Sequence, residues 1–439
     1  MDISVIGGGY VGVITAISLA QMYDHKVIVV EPDEEKLAHL QRGLMPFHEP
    51  YSEPVLQSMV YRSRLMFVPA LTSQFGTIQI IAVGTPAKQD GSTDLTQVFD
   101  AATTIARLMD QDTIIAIKST VPVGTCEKIE QLISHILIER GVVYMWEVIS
   151  NPEFLSQGRA MADARSPDRI IIGANTSFGR LYGKVFQHSS AIEYVSQKAG
   201  EMIKYMSNAI LATKISIMNE AAAFAEHHGI DIMEVVDGVG RDERIGMSHL
   251  TPGIGYGGSC LPKDVSSLLH QGREANTPFT VLETVSAINN DQHSQLCKKV
   301  IRRFGDDLVN LRVGIWGVSF KRDTDDMRNA KSIPIIKFLL ERGATVVLHD
   351  PKAVFTCMDI MDTVLSAEQV NRLSFNMDKM VVATNVDALL LLSDWEEYDN
   401  IDTMRLLGIM KQPCLFDGRN FWQRDYMIQE GFEYHAIGR

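Results

Sequence analysis

The sequence predicts an α/β protein: two domains built on parallel sheets, one toward each end, joined by a long central helix and a helical region suited to dimerisation. Three observations carry this. Short β-rich runs alternate with helical patterns from residue 3 to residue 173. The alternation starts again near Leu311. Between the two, from Ala199 to about His228, Met202, Ile203, Met206, Ile210, Ile217 and Met218 recur near helical spacing with no proline. Apolar strands alternating with helices are the pattern of parallel sheets covered on their faces.

The elements follow in order. Residues 3–6 form an apolar run, closed by Gly7-Gly8-Gly9-Tyr10-Val11-Gly12 and a helical pattern through Met22. Residues 27–30 form a second β-rich run, ended by Glu31. Strand-like residues 78–83, a helix after Asp94, strand-like residues 113–118 and a helix after Val123 continue the first domain, with 170–173 as a late strand of the same sheet. At ~1.5 Å per residue the central helix spans ~45 Å, a spine or a subunit interface; two helices with a kink are the alternative. In the second α/β region, 313–316 and 344–349 read as strands around a helix at 333–340, with 380–384 and 414–416 as later strands.

The chain has 439 residues, too long for one ordinary core, and divides on this reading into 1–195, 196–300 and 301–439. Hydrophobic content of 46% and charged content of 22% exclude a disordered tail or a fibre. A net charge of -13 argues against nonspecific nucleic-acid binding, while leaving room for one locally basic pocket. Five scattered cysteines (Cys126, Cys260, Cys297, Cys357, Cys414) form no Cys-x-x-Cys pair, as in a reducing compartment. There is no basic leader and no apolar stretch of the ~20 residues a bilayer helix needs. The expectation is a cytoplasmic protein with neither membrane nor nucleic-acid partner.

The glycine run has a physical reading. Gly7 permits a tight turn, Gly9 lets a pyrophosphate approach the backbone, and Gly12 permits close helix–strand packing, with the helix N-terminus facing the phosphates. Alone this pattern is weak; between a first strand and a second strand ended by Glu31 it becomes a dinucleotide-binding signature. Glu31 is placed to accept from ribose hydroxyls and to repel a 2′-phosphate, which favours NAD over NADP, with flavin or another Rossmann ligand as the alternative. Val83-Gly84-Thr85-Pro86 and Ser119-Thr120-Val121-Pro122-Val123-Gly124-Thr125 follow strands, where ligand crevices form. Thr120 suits a hydrogen bond to cofactor or reacting oxygen, and equally a helix cap.

A second constellation lies in Gly255-Tyr256-Gly257-Gly258-Ser259-Cys260-Leu261-Pro262-Lys263-Asp264. Glycines before a cysteine admit close approach and expose N–H groups to an oxyanion. Lys263 favours thiolate, Asp264 opposes it and suits water or proton relay. By residue type alone Cys260 is more often a buried small apolar side chain than a nucleophile. Lys204 and Asn208, four apart, share a helix face from which a cation and an amide would steady an oxyanion; an ordinary polar face is the alternative. Glu153, in Asn151-Pro152-Glu153-Phe154-Leu155, is a candidate for handling water or a proton, and Lys321 for an anion contact. His227 and His228 are adjacent, so should point apart, and no metal motif accompanies them.

Taken together and in this order, residues 7–12, 83–86, 119–125, 151–155, Lys204 with Asn208, 255–264, Phe320-Lys321 with Asp325-Asp326-x-Arg328, and Asp350-Pro351 resemble the UDP-glucose/GDP-mannose dehydrogenase family, most closely its UDP-glucose 6-dehydrogenase branch. The resemblance spans essentially the whole chain. It implies NAD-binding and nucleotide-sugar-binding Rossmann-like domains, a long helix between them and commonly a homodimeric core. It also implies a four-electron oxidation, alcohol to carboxylate, through a cysteine thiohemiacetal and thioester.

Carried over by motif, Cys260 is the nucleophile, Lys204, Asn208 and Thr120 stabilise alkoxide or oxyanion, and Asp264 and Glu153 serve water and proton transfers. The NAD contacts implied are Gly7, Gly9, Tyr10, Val11, Gly12, Glu31, Lys36, Val83, Gly84, Thr85, Pro86, Ser119, Thr120, Glu153, Lys263 and Arg328. The substrate contacts implied are Phe154, Leu155, Lys204, Asn208, Tyr256, Gly257, Cys260, Phe320, Lys321 and Arg419, with Arg244 reaching from the neighbouring subunit. UDP-glucose is the substrate favoured; GDP-mannose, a UDP-N-acetylhexosamine, and an inactive nucleotide-binding regulator are the alternatives.

The chain also departs from the family pattern. Glu31 stands where aspartate is usual, Tyr51 replaces the common glycine after Glu49-Pro50, and Gln157 stands for a common glutamate. Asn329-Ala330-Lys331 replaces a Ser-Pro, and Ser393-Asp394-Trp395 is a conservative version of Thr-Glu-Trp.

Overall fold

The structure, a computed structural model, describes residues 1–186 and 191–439. It divides into two compact units: Met1–Ser207 with Ser266–Pro278, and Asn208–Val265 with Phe279–Arg439.

In the first unit, β1 (Asp2–Ile6), β2 (Lys26–Val30), β3 (Leu65–Val68), β4 (Ile78–Ile81), β5 (Thr113–Ile117), β6 (Trp146–Ser150), β7 (Ile170–Gly173) and β8 (Ile192–Val195) form one sheet. Its order is β3-β2-β1-β4-β5-β6-β7-β8. Every pairing is parallel except β6 with β7. The central strands β4 and β5 are buried at every residue because helices cover both faces. Alternate residues of β5 show it: Ile114 and Ala116 join the core beneath the helix Tyr10–Met22. Ile115 and Ile117 join the core beneath the helices Thr96–Leu108 and Thr125–Arg140. The strand order reverses between β1 and β4, and the loops leaving these two strands are residues 7–9 and 82–86, at a switch point where ligands bind in open α/β sheets.

In the second unit, β9 (Arg312–Trp316), β10 (Thr345–His349), β11 (Leu373–Phe375), β12 (Ala388–Leu391), β13 (Cys414–Asp417) and β14 (Glu433–Ala436) pair in the order β11-β10-β9-β12-β13-β14. All are parallel. Leu390 and Phe416 fill one core while Leu389, Leu391 and Leu415 fill the other. The mixed α/β fold with two Rossmann-like sheets agrees with the sequence reading.

Residues 380–384, expected as a strand, are not one. Lys379–Val382 is a short helix, capped by Asp378, whose side chain accepts from Met380 N–H. Asn385 then turns the chain at φ 57°. The β-branched pair Val381-Val382 suggested a strand, but the cap and the turn outweigh it. The strand of this region is β12, which starts eight residues after the start of the run that suggested it and is wholly buried.

The central segment is one unbroken helix, Gln197–His227, of 31 residues. Gly200 lies in its first turn, where a Cβ would come 2.9 Å from Ser150 Oγ and 3.4 Å from Gly173 Cα. Glycine is therefore required for the helix to approach β6 and β7 so closely. At the helix end, where His227 is the last helical residue and His228 begins the turn, their rings meet edge to face, 5.0 Å apart, and do not diverge.

Tyr51, the departure after Glu49-Pro50, is exposed and sits at φ 63°, in left-handed backbone. That conformation suits glycine and strains a tyrosine. Tyr51→Gly should therefore stabilise the protein by about 0.5–1 kcal/mol after the entropy that glycine loses on folding. A denaturant midpoint that falls would contradict this account.

Candidate active site

Four glycines shape the end of the first sheet. A Cβ on Gly7, at φ 112°, would lie 2.5 Å from Ala82 O, and one on Gly12 would lie 1.9 Å from Gly7 O. A Cβ on Gly8 would meet Glu31, 2.7 Å from its Cβ and 2.8 Å from Oε2; one on Gly9 would meet nothing within 4 Å. So Gly7, Gly8 and Gly12 serve packing, and Gly9 opens a space. The helix Tyr10–Met22 starts there with no side chain capping it, which leaves its first N–H groups for phosphate.

Glu31, at the end of β2, turns Oε1 to Asp33 N–H at 2.9 Å. Its other oxygen lies over the glycine turn, where ribose hydroxyls would be accepted. These residues fit NAD. Nearby, the Tyr10 hydroxyl donates to Glu49 Oε2, whose carboxylate also takes Gly158 and Ala160 N–H at 2.7 Å each. Val83 is tied by its carbonyl to the Ser119 hydroxyl at 2.7 Å, and Gly84 N–H donates to Gln97 at 3.2 Å. Thr85, Ser119 and Thr120 are buried, whereas Lys36 is exposed.

Beyond β6, Glu153 is buried and doubly held. Oε1 accepts from Lys204 Nζ at 3.0 Å and Oε2 from Leu155 N–H at 2.7 Å. Burial would raise its pKa; the Lys204 charge and hydrogen bond, Leu155 N–H and the Lys118 charge outweigh it and hold the carboxyl below its ordinary value. Glu153 is thus an acceptor at neutral pH. The Phe154 ring is faced by the Arg169 guanidinium at 4.1 Å and by Lys204 Nζ at 5.5 Å. Sequence reasoning missed Arg169 and Lys118. Lys118 had a visible signal, a lysine at the carboxyl end of an apolar strand; Arg169 had none.

In the second unit, Cys260 immediately precedes the helix Leu261–Glu274. A thiol at a helix N-terminus is favoured as thiolate. It is the one cysteine of the five that is not fully buried. Burial pushes the thiols of Cys297, Cys357 and Cys414 up to about 12 and raises that of Cys126 well above its ordinary value.

Asp264 is buried, and accepts from Asn208 Nδ2 at 2.6 Å and from Lys263 Nζ. The charge of Lys263 is thereby paired with Asp264. A different cation, Arg328, interacts electrostatically with Cys260. Its guanidinium is held by Asp326 at 2.6 Å, and its carbonyl accepts from Gly258 N–H at 2.8 Å.

The glycines before Cys260 are packed against the chain. A Cβ on Gly257 would lie 2.4 Å from Asn329 O, and one on Gly258 would lie 2.8 Å from the Phe320 ring. Asn329, at φ 55°, donates to Gly258 O at 3.1 Å. Asparagine tolerates this backbone. The Tyr256 main chain is clamped by Asn289, its N–H donating at 2.7 Å and its carbonyl accepting at 3.1 Å. Burial raises the Tyr256 hydroxyl to about 12. Arg419 donates to Leu392 O at 2.7 Å and Phe320 O at 2.6 Å, so it braces the turn that carries Lys321. The Arg244 side chain is exposed and paired with Asp242 at 2.5 Å.

The conservative run Ser393-Asp394-Trp395 is also engaged: Trp395 Nε1 donates to Ser319 Oγ and to Asp350 Oδ2, each at 3.1 Å. At the start of β13 and β14, Cys414, Glu433 and His435 come together, a grouping that strand pairing makes and sequence spacing hides. Both Glu433 oxygens accept from Arg303 at 2.8 Å, so a cation already occupies that carboxylate.

A bare helix N-terminus over a glycine turn, an acidic residue ending the second strand and a sheet that reverses order at that point define a dinucleotide-binding protein of the Rossmann type. The particular family comes from comparison with known proteins. The chain matches the UDP-glucose/GDP-mannose dehydrogenase family over its NAD binding domain at residues 1–188, its central domain at 198–291 and its UDP binding domain at 314–424. A UDP-glucose 6-dehydrogenase of Pseudomonas aeruginosa is 38% identical over 446 residues, covering 100% of this chain and 98% of the relative. A UDP-glucose dehydrogenase structure from Pyrobaculum islandicum superposes with a TM-score of 0.87 at 29% identity, covering 99% and 97% of the two chains. A UDP-D-ManNAc dehydrogenase from Pyrococcus horikoshii shares the fold, with a TM-score of 0.84 at 24% identity, covering 100% and 99%. The chain belongs to the UDP-glucose/GDP-mannose dehydrogenase family and is an NAD-dependent nucleotide-sugar dehydrogenase.

Proposed function

We propose that the protein oxidises UDP-glucose to UDP-glucuronate, with two NAD and one water consumed and Cys260 as the covalent nucleophile. The observation that carries the covalent role is Cys260 itself: it is the one cysteine not fully buried, and it stands at a helix N-terminus. The substrate rests on the 38% identical relative that bears this activity in its name. NAD, when bound, accepts hydride from the substrate carbon.

The residues then divide the remaining work. Lys204, Asn208 and Thr120 stabilise the alkoxide and the tetrahedral oxyanions. Asn208 has a second amide hydrogen for this beyond the one given to Asp264. Cys260 Sγ bonds to the aldehyde carbon; after the second oxidation, water adds to the thioester, the C–S bond breaks and the thiol is restored. Asp264, oriented by Asn208 and Lys263, and Glu153, ionised beside Lys204, direct the water and take up protons. Phe154, Leu155, Tyr256, Gly257, Phe320, Lys321 and Arg419 shape the sugar-nucleotide pocket. Lys263 and Arg328 contact NAD, and Arg328 sets the charge around the thiol.

The functional division follows 1–195 for NAD, 196–300 for catalysis and dimerisation, and 301–439 for the nucleotide sugar. Two helices, Gln197–His227 and Leu261–Glu274, run from one compact unit into the other. Along the longer one, Met202, Ile210, Ile217 and Phe224 are exposed at spacings of about two turns, an apolar stripe that a second copy of the chain would cover, bringing Arg244 to the partner's substrate. Among the described residues no helix is long and apolar enough to cross a membrane, which is compatible with the cytoplasmic assignment.

The test is a panel of UDP-glucose, GDP-mannose and UDP-N-acetylhexosamines, following NADH. UDP-glucose is expected to give the highest kcat/KM and two NADH per acid formed. Turnover of UDP-glucose no faster than of the others would sink the substrate; one NADH per product would sink the four-electron course.

A further inference from the structure

β5 ends at Ile117, and the next residue, Lys118, carries a charge that the nucleotide turn and the Cys260 segment leave unexplained. Its Nζ donates to Asn151 Oδ1 at 3.1 Å and to Asn151 O at 3.4 Å. Asn151 is pinned in turn. Its Nδ2 donates to Ile171 O at 2.8 Å, and the buried Tyr182 hydroxyl donates to its Oδ1 at 3.1 Å. The ammonium is therefore seated at the carboxyl end of the sheet, on the residue two before Glu153.

From there its charge reaches both members of the Glu153–Lys204 pair. A lone ion pair is neutral as a whole and gives an oxyanion beside it little net attraction. Two ammoniums around one carboxylate leave a net positive charge where water is largely excluded, and there Coulomb interactions are strong. The charged groups facing Lys118 are Glu153, on the loop after β6, and Lys204, on the long helix; Asn151 is neutral. Burial raises the Tyr182 hydroxyl far above its ordinary value, so it too stays neutral. Lys118 itself is pushed down to about 8, by burial first and by the Lys204 charge, with Glu153 acting in the other direction. A lysine so placed changes charge close to working pH.

We propose that Lys118 is a positioning residue for the Lys204–Glu153 pair: seated on Asn151, it helps Lys204 hold Glu153 as an anion and leaves the trio one net positive charge, which loosens the proton on Lys204 and favours an oxyanion beside it. This rests on the reading of Lys204 as an oxyanion-stabilising group.

The pH profile of kcat tests it, using whichever nucleotide sugar the wild type oxidises fastest, so a different substrate leaves the test intact. In K118M, loss of a nearby positive charge makes Glu153 easier to protonate and Lys204 harder to deprotonate. Both limbs of the profile should move upward by about 1 pH unit, while KM for NAD and for the sugar stay within about threefold. K118Q keeps a donor for Asn151 without the charge and should shift in the same way; it carries the test where K118M fails to fold. K118R restores the charge and should return the acid limb to the wild-type position. A kcat lowered evenly at every pH, with both limbs unmoved in the neutral variants, would overturn the proposal. An unaltered kcat in K204A would instead remove the reading on which it rests.

Discussion

Cys260→Ala is expected to abolish acid formation, by roughly 10⁴-fold or more, while NAD and the nucleotide sugar still bind. The expectation follows from what the thiol alone supplies. Without a covalent hold, the aldehyde has no tether between the two oxidations, and no thioester forms for water to attack. Alanine removes one sulfur from a position that is only partly buried, so the fold should survive. Binding is measured by fluorescence titration with NAD and with the sugar nucleotide, and acid by product separation. Acid formed at the wild-type rate would end the covalent role. Loss of both activity and binding would place Cys260 in the pocket wall.

Lys204→Ala should lower kcat by about 10²–10³-fold, the range seen when one oxyanion donor is removed. It should also destabilise the fold, because Glu153 would be left as a buried carboxylate without its cation, a loss of about 3–5 kcal/mol. The pH dependence has a definite sign. In the wild type, Glu153 is held below its ordinary value, so the pair's contribution is present at neutral pH and is lost as pH falls through that lowered value. In the variant, burial dominates and the carboxyl titrates higher. The stability deficit should therefore be largest at neutral and alkaline pH and shrink in acid as Glu153 takes a proton. The double variant K204M/E153Q, with the charge gone from both partners, should recover much of the stability and none of the activity. A deficit that grows in acid would contradict the assignment of Glu153 as the stranded charge.

The two signals most legible in the chain were periodic or contiguous. The glycine turn, Glu31 and the Gly255-to-Asp264 run are local motifs whose geometry is nearly dictated by glycine spacing, and the fold bears out that spacing at Gly7 and Gly12. The 31-residue helix was legible because apolar residues kept one period without a proline. The strand expected at 380–384 failed where two β-branched residues outspoke a capping aspartate. The Cys414, Glu433 and His435 grouping lay out of reach because parallel pairing of β13 with β14 joins residues distant in sequence.

By itself, the sequence determined the two α/β domains, the central helix, the NAD-binding turn and Cys260 as the residue to watch, because each is written in local spacing and residue type. Only the tertiary structure decided how charge is shared. It paired Lys263 with Asp264, brought Arg328 within electrostatic reach of Cys260, buried Glu153 against Lys204 and seated Lys118 on Asn151. The physical reason is that a side chain's proton affinity depends on its burial and on the neighbours that folding brings to it, neither of which its own position in the chain records.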